Sequence, residues 1–276
     1  MKKIPSESSQ ALGLRVPQVM GILNVTPDSF YDGGRYFRDE AKVLARVEAM
    51  LEEGAAWIDV GGYSSRPGAA EVSEEEEKQR VIRTVVSLKE NFPRASLSVD
   101  TFRASVAQEV VAAGADMIND ITGGEGDSRM FATVAALEVP YVLMHMRGTP
   151  QTMQTLTQYD DLLTEVMSYF RRKLSELRAL GIDDIVIDPG FGFAKTIDQN
   201  YTLLSRLDAL STLGLPIMVG LSRKSMIYRR LDITVREALN GTTVLNTIAL
   251  TKGASMLRVH DVRAAVEAVQ LNSLIT

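Results

Sequence analysis

The 276-residue sequence contains no cysteine. Disulfides, thiolate metal sites and cysteine nucleophiles are therefore excluded from its chemistry. Histidine is scarce: His145 and His260 are the two the chain has, which with the missing thiols argues against a zinc centre. No apolar run approaches the roughly 18 residues that cross a bilayer. Residues 1–17 carry two lysines but no apolar core of signal-peptide length. Nor is there an excess of positive charge. Thirty Lys and Arg stand against 35 Asp and Glu, a net −5, so no overall basic field draws in nucleic acid or an anionic membrane. A soluble cytoplasmic protein is expected, one that holds any anionic ligand with a local cluster of cations.

What is present is a repeating pattern. Short apolar runs occur at Val19-Met-Gly-Ile-Leu23, Trp57-Ile-Asp-Val60, Ser96-Leu-Ser-Val99, Asp116-Met-Ile118, Pro140-Tyr-Val-Leu-Met144, Asp184-Ile-Val-Ile187, Leu215-Pro-Ile-Met-Val-Gly-Leu221 and Ala254-Ser-Met-Leu257. Each reads as a buried strand. Between them, residues 39–53, a stretch opening at Ser73, and residues 103–113, 128–138, 161–180, 198–213, 235–252 and 263–271 read as helices. Gly54, Gly114 and Gly181 sit where a helix C-cap favours glycine. Ser73 and the four glutamates after it suit a helix N-terminus, and that acidic run needs no role beyond a solvated helix start. Gly123-Gly-Glu-Gly126 reads as a loop, because its spacing is wrong for a phosphate-binding fingerprint. Alternating strands and helices predict parallel βαβ units. Eight such units in about 250 residues fit a closed (β/α)8, or TIM, barrel better than the runner-up, an open doubly wound sheet. No composition break marks a second domain, so 1–276 is expected to form one unit, with 1–17 a tail or capping segment.

In a barrel the carboxyl ends of the strands meet at one face, where ligands bind. Read together, those ends are Asn24, Asp59, Asp100, Asn119, His145, Asp188, the stretch Ser222-Arg-Lys-Ser225, and Arg258-Val-His260. Singly, an Asp or Asn there is often only a cap for the next helix. Together they form a rim of two chemistries. Asp100, Asn119 and Asp188 suit the edge of a flat heterocycle bearing amino and ring N–H donors. Lys224 suits a ring carbonyl, and the planar guanidinium of Arg258 suits stacking on the ring. Asn24, Arg258 and His260 become neighbours if the barrel closes, and would hold a diphosphate, with Asn24 an oxygen ligand to Mg²⁺. Ser65-Arg66-Pro67 adds a hydroxyl and a cation, and Phe191 and Phe193 add apolar wall. Loops 27–34 and 61–70 are expected to close over the site. No Ser-His-Asp set suggests a nucleophile with its base.

These residues resemble the dihydropteroate synthase family. The matching segments are Met20-Gly-Ile-Leu-Asn-Val-Thr-Pro-Asp-Ser-Phe30, Ser98-Val-Asp-Thr101, Ile118-Asn-Asp120, Leu143-Met-His145, Asp188-Pro-Gly-Phe-Gly-Phe193, Ser222-Arg-Lys-Ser225 and Arg258-Val-His-Asp261. They run in family order over nearly the whole chain. The resemblance implies a (β/α)8 barrel, commonly a homodimer, that joins p-aminobenzoate to a hydroxymethyl-dihydropterin diphosphate with Mg²⁺. Carried over by position, it implies that Asn24, Ser65, Asp100, Asn119, Asp188, Lys224, Arg258 and His260 bind the pterin diphosphate, with the metal at Asn24. It places p-aminobenzoate among Ser65, Arg66, Pro67, Phe193 and Ser225, gives Asp32 to a closing loop, and makes Asp100, Asp188 and Lys224 the catalytic set. Its chemistry is dissociative: diphosphate leaves, and the aniline nitrogen attacks the pterin-methyl cation.

Departures from the family pattern lie in the second loop, where Tyr63-Ser-Ser-Arg-Pro-Gly68 replaces a common Glu-Ser-Thr-Arg-Pro-Gly, and at Tyr228, where glycine is common. They bear on the fit of p-aminobenzoate analogues such as sulfonamides rather than on the reaction. Two rival readings share the pterin pocket: a barrel that passes a methyl group from methyltetrahydrofolate to a corrinoid, and a non-catalytic pterin-binding paralogue. The first has no use for the Asn24, Arg258, His260 trio; the second is expected to have lost rim residues.

Overall fold

The computed structural model describes residues 16–26, 39–63 and 72–275. The expected roles of Asp32, Ser65, Arg66 and Pro67, and most of the tail at 1–17, lie outside the described residues. Among the described residues are eight strands: β1 (Gln18–Asn24), β2 (Trp57–Gly61), β3 (Ser96–Asp100), β4 (Met117–Asp120), β5 (Tyr141–Met144), β6 (Ile185–Asp188), β7 (Met218–Val219) and β8 (Met256–Val259). Nine α-helices alternate with them: α1 (Glu40–Glu52), α2 (Glu74–Asn91), α3 (Ala104–Ala112), α4 (Met130–Leu137), α5 (Leu162–Ala179), α6 (Ile197–Ser205), α7 (Ser225–Leu231), α8 (Leu239–Thr251) and α9 (Val262–Asn272). All strand pairs are parallel, in the order β6-β5-β4-β3-β2-β1-β8-β7. The seam between β6 and β7 is closed by a bridge of Ile187 to Ile217, with Ile187 N donating to Pro216 O at 2.9 Å. The architecture is the (β/α)8 barrel rather than the open sheet.

Side chains along a strand alternate between faces. One face packs on the helices in a large apolar shell. The other fills the barrel with Met20, Met117, Val142, Val186, Met218 and Met256, and Trp57 packs against them. That inner plug is what positions the site. Two residues beyond Trp57, Met117, Val186 and Met256, on the same inward parity, come Asp59, Asn119, Asp188 and Arg258. Asp100 holds the equivalent parity on β3, two residues after the buried Ser98.

Two strands depart from the sequence reading, for local reasons. The expected strand at 254–257 begins two residues later because the amides of Lys252 and Ala254 are used by the carbonyls of Ile248 and Ala249, finishing α8. At its other end β8 runs on to Val259, with Arg258 and Val259 paired to Met20 and Gly21, so Arg258 lies inside the strand and not beyond its end. The long run at 215–221 yields only Met218–Val219 as strand, since Pro216 brings no N–H to the ladder. The expected helix 198–213 is α6 followed by a 3-10 segment, Leu207–Leu213, and 235–252 is likewise a 3-10 turn, Val235–Glu237, leading into α8. The Ser73 cap is present, its Oγ accepting from Glu76 N at 3.2 Å.

Candidate active site

One arc of the barrel mouth is an ionic network. Asp59 is fully buried, and its Oδ2 accepts from Arg258 Nε at 2.6 Å and from Asn119 Nδ2 at 3.1 Å. The other end of the guanidinium, Nη2, donates to Asp100 Oδ2 at 2.8 Å. One arginine is thus forked between carboxylates of β2 and β3, a geometry a lysine ammonium would not reproduce. Burial pushes the Asp100 carboxyl up to about 7, with Arg258 opposing and Asp59, Glu77 and Asp120 adding to the rise. Burial works against the charge of Arg258, but Asp59 and Asp100 outweigh it and hold its pKa above the ordinary arginine range.

The opposite arc is built by β6 and the turn after β7. Asp188 Oδ1 accepts from Gly190 N at 2.7 Å, which curls the Asp188-Pro-Gly-Phe-Gly-Phe193 loop back on its strand. Burial raises the Asp188 carboxyl, opposed by Lys224, the Gly190 N–H, Arg258 and Lys195. Lys224 Nζ donates to Phe191 O and lies 4.6 Å from the centre of the Phe193 ring. Its pKa falls to about 8, mainly through burial, while Asp188 pulls it back up. Gly192, at φ +82°, faces the Lys224 stem, and a Cβ there would stand 3.2 Å from its Cδ.

Between the arcs stand the ends of β1 and β8. A Cβ on Gly61 would come within 3.3 Å of Asn24 Oδ1, so the glycine leaves a cradle beside that oxygen. His260 N donates to Ser222 Oγ at 3.1 Å, the ring Nδ1 lies 3.1 Å from the same hydroxyl, and Arg46 Nη2 donates to His260 O at 2.7 Å. Asn24 thus ends β1 and His260 directly follows its neighbour β8, whereas the Arg258 guanidinium is held by Asp59 and Asp100. Ser225 opens α7. Arg223, between Ser222 and Lys224, adopts φ +53°. Its Nε and Nη2 grip the Asp261 carboxylate at 2.8 and 3.0 Å, and Nη1 donates to Val235 O and Arg236 O at 2.8 and 2.7 Å. It braces the turn that presents Lys224.

A family profile described as "Pterin binding enzyme" matches residues 20–260. The chain is 42% identical over 266 residues to the dihydropteroate synthase of Haemophilus influenzae, covering 96% of each. The chain belongs to the dihydropteroate synthase family. Among solved dihydropteroate synthases, that of Yersinia pestis in a sulfonamide drug complex matches with TM-score 0.91 and 43% identity over 95% of both chains. That of Xanthomonas albilineans with 4-aminobenzoic acid matches with TM-score 0.86 and 40% identity, over 95% of this chain and 94% of that one.

In this dihydropteroate synthase family member, sequence reasoning undervalued two buried residues. Asp59 stands in the sequence as a strand-end acid, and an acid two residues from Trp57 in an apolar strand signals an inward carboxylate needing a partner. Lys195 is not among the residues the strand-end pattern singles out. Its Nζ, in a residue 4% exposed, contacts His145 Nδ1 at 2.9 Å, Phe193 O at 3.1 Å and Gly190 O at 3.2 Å. The available signal was a lysine two residues after Phe193 and directly before the helix cap Thr196.

Proposed function

We propose that this chain joins p-aminobenzoate to (7,8-dihydropterin-6-yl)methyl diphosphate, giving 7,8-dihydropteroate and diphosphate, a step of folate biosynthesis. The observation that carries the reading is the two-sided barrel mouth. Asp59, Arg258, Asp100 and Asn119 form one arc and Asp188 with Lys224 the other. Buried acceptors of this kind match the amino and ring N–H donors of a pterin edge. On this reading Asp100, Asn119 and Asp188 bind that edge, Lys224 meets the ring carbonyl, and Arg258 offers its guanidinium plane to the ring. Asn24, Arg258 and His260 hold the diphosphate, with Ser65 contributing its hydroxyl. Ser65, Arg66, Pro67, Phe193 and Ser225 frame p-aminobenzoate, and Asp32 belongs to a closing loop.

The chemistry needs no nucleophile made by the protein. The methylene C–O bond breaks with its electron pair going to the diphosphate, and the aniline nitrogen lone pair then forms the new C–N bond, after which the nitrogen loses one proton. Asp100 and Asp188 stabilise the positive charge that develops on the pterin-methyl group, and Lys224 fixes the ring beside them. His145 is not available as a base: it is 2% exposed, with Lys195 on its Nδ1.

Mg²⁺ fits this site. Asn24 supplies a neutral, hard oxygen, and the Gly61 cradle leaves room beside it. A lone amide oxygen suits a cation that keeps several waters and takes most of its remaining ligands from phosphate. When bound, Mg²⁺ would neutralise charge on the departing diphosphate. The whole chain is proposed to act as one pterin-binding barrel, cytoplasmic and homodimeric. No helix among the described residues is long and apolar enough to cross a membrane.

The test is direct. Purified protein with Mg²⁺ and dihydropterin diphosphate is expected to turn over in a p-aminobenzoate-dependent way, giving diphosphate and dihydropteroate, the latter detected chromatographically. Absence of that product overturns the reading.

A further inference from the structure

Lys195 is a buried lysine whose ammonium meets no side chain assigned to a substrate; it holds the backbone of the loop that carries them. Its three donors meet three acceptors, His145 Nδ1, Gly190 O and Phe193 O. That count suits a protonated ammonium, which has three N–H groups and no acceptor; burial lowers the Lys195 pKa to about 7, with Asp188 opposing, so the ammonium is complete below that pH. While Lys195 is charged, His145 Nδ1 is the acceptor of this bond and the ring proton sits on Nε2. Burial, and then Lys195 and Arg147, hold His145 well below the ordinary histidine range, consistent with a neutral ring. The imidazole is itself pinned, with the Tyr169 ring edge-on at 4.9 Å and the Tyr169 hydroxyl donating to Met144 O at 3.0 Å.

The loop held this way is under strain. Gly190, Gly192 and Ala194 all adopt positive φ, at +71°, +82° and +48°, and Ala194 is a fully buried non-glycine residue. A non-glycine residue in that region is strained and persists only where its surroundings enforce it. Lys195 supplies that enforcement by gathering Gly190 O and Phe193 O on one ammonium, and the Tyr159 hydroxyl adds a bond to Ala194 O at 2.9 Å. The same loop presents Asp188 and the Phe193 ring to the barrel mouth, and its Phe191 O receives Lys224.

We propose that Lys195, docked on His145, is a positioning residue that locks the 188–193 loop so that Asp188 and Lys224 are preset for the pterin ring. The inference rests on the substrate reading above, and it places no new group in contact with substrate. Its signature is selectivity. Diphosphate is assigned to Asn24, Arg258 and His260, on other strands, so loosening the loop weakens ring recognition and spares diphosphate recognition.

Binding of dihydropterin diphosphate and of inorganic diphosphate, each with Mg²⁺, is measured by calorimetry for the unaltered protein and for Lys195→Met, His145→Leu and His145→Asn. Lys195→Met is expected to weaken the pterin ligand about 10- to 100-fold, as loss of an orienting outer contact commonly does, with inorganic diphosphate unchanged. His145→Asn, whose amide oxygen takes the place of Nδ1, is expected to retain pterin affinity that His145→Leu loses. Equal losses for both ligands reduce Lys195 to general structural support and overturn the proposal; so does unchanged pterin affinity in folded Lys195→Met. Should Lys195→Met fail to fold, the two His145 variants decide, and equal pterin affinity in both overturns the proposal. Failure of the unaltered protein to make dihydropteroate is a separate result that removes the substrate reading instead.

Discussion

Asp100 sits among carboxylates and depends on one cation to be ionised. Its folded-state pKa, about 7, lies above the ordinary aspartate range because burial and its acidic neighbours outweigh Arg258. An acid with a raised folded pKa stabilises the fold while neutral, so this contribution is complete at low pH and is lost as pH rises through about 7. The carboxylate is what the proposed reaction needs, so activity and stability run in opposite directions here. kcat/KM for the dihydropterin diphosphate is expected to climb with pH through about 7, as Asp100 ionises, and to fall again above about 8, as Lys224 loses its proton. Asp100→Asn should lose the activity and also flatten the fall of the urea midpoint with pH. A pH-rate profile without that acid limb would remove Asp100 from the site. Lys224 carries a simpler expectation. Deleting a charge-assisted hydrogen bond costs about 1.5–3 kcal/mol, or roughly 10- to 150-fold in affinity. Lys224→Met should therefore raise the KM for the pterin substrate by that factor, and unchanged kinetics would refute its role.

At the scale of the element, the site is an effect of strand parity. Asp100, Asn119 and Asp188 were legible in the sequence because each is a polar residue closing a short apolar run, and parity points all three inward. Arg258 was legible as a residue but not as a position. Pairing with β1 carries β8 on to Val259, and no residue pattern announces that. The pairing of Lys195 with His145, and of Arg223 with Asp261, was not legible, because the partners lie 50 and 38 positions apart and meet only through the pairing of β5 with β6 and of β7 with β8. The Arg223 contact matters to the turn after β7. An arginine 8% exposed, held at φ +53° by the Asp261 carboxylate and two carbonyls, makes that turn rigid. Removing one partner of a buried pair leaves the other charge uncompensated, at about 3–5 kcal/mol. Arg223→Met should approach the lower end of that range in urea unfolding, since Asp261 is partly exposed. Asp261→Asn, which still accepts one bond, should cost less. Equal and negligible losses in both would show that the clamp contributes nothing.

The molecule as a whole is acidic, and its mouth sets the cations of Lys224 and Arg258 against the carboxylates of Asp59, Asp100 and Asp188. Attraction for an anionic substrate is therefore local and depends on these few groups. The outside of the barrel is less even. Leu239, Val244 and Ile248 of α8, and Leu271 of α9 with Leu274 and Ile275 just beyond it, are large apolar side chains left exposed, the last three at 67%, 80% and 76%. The two helices lie side by side, and Leu239, Thr243, Leu271 and Ile275 line one shared groove. Large apolar side chains gathered on one pair of helices mark an interaction face, and a second copy related by a two-fold axis would cover it with the same patch. A stable interface of this kind buries about 1,200–2,000 Å² in total, which two helix faces can supply. The protein is therefore expected to sediment at twice the 30.3 kDa chain mass. Leu271→Glu combined with Ile275→Glu should shift it to monomer, because paired acids facing their own copies across a two-fold axis repel. Every described site residue comes from one chain, so that monomer should keep the KM values of the unaltered protein. Sedimentation of the unaltered protein as a monomer would mean that this face is not a dimer interface.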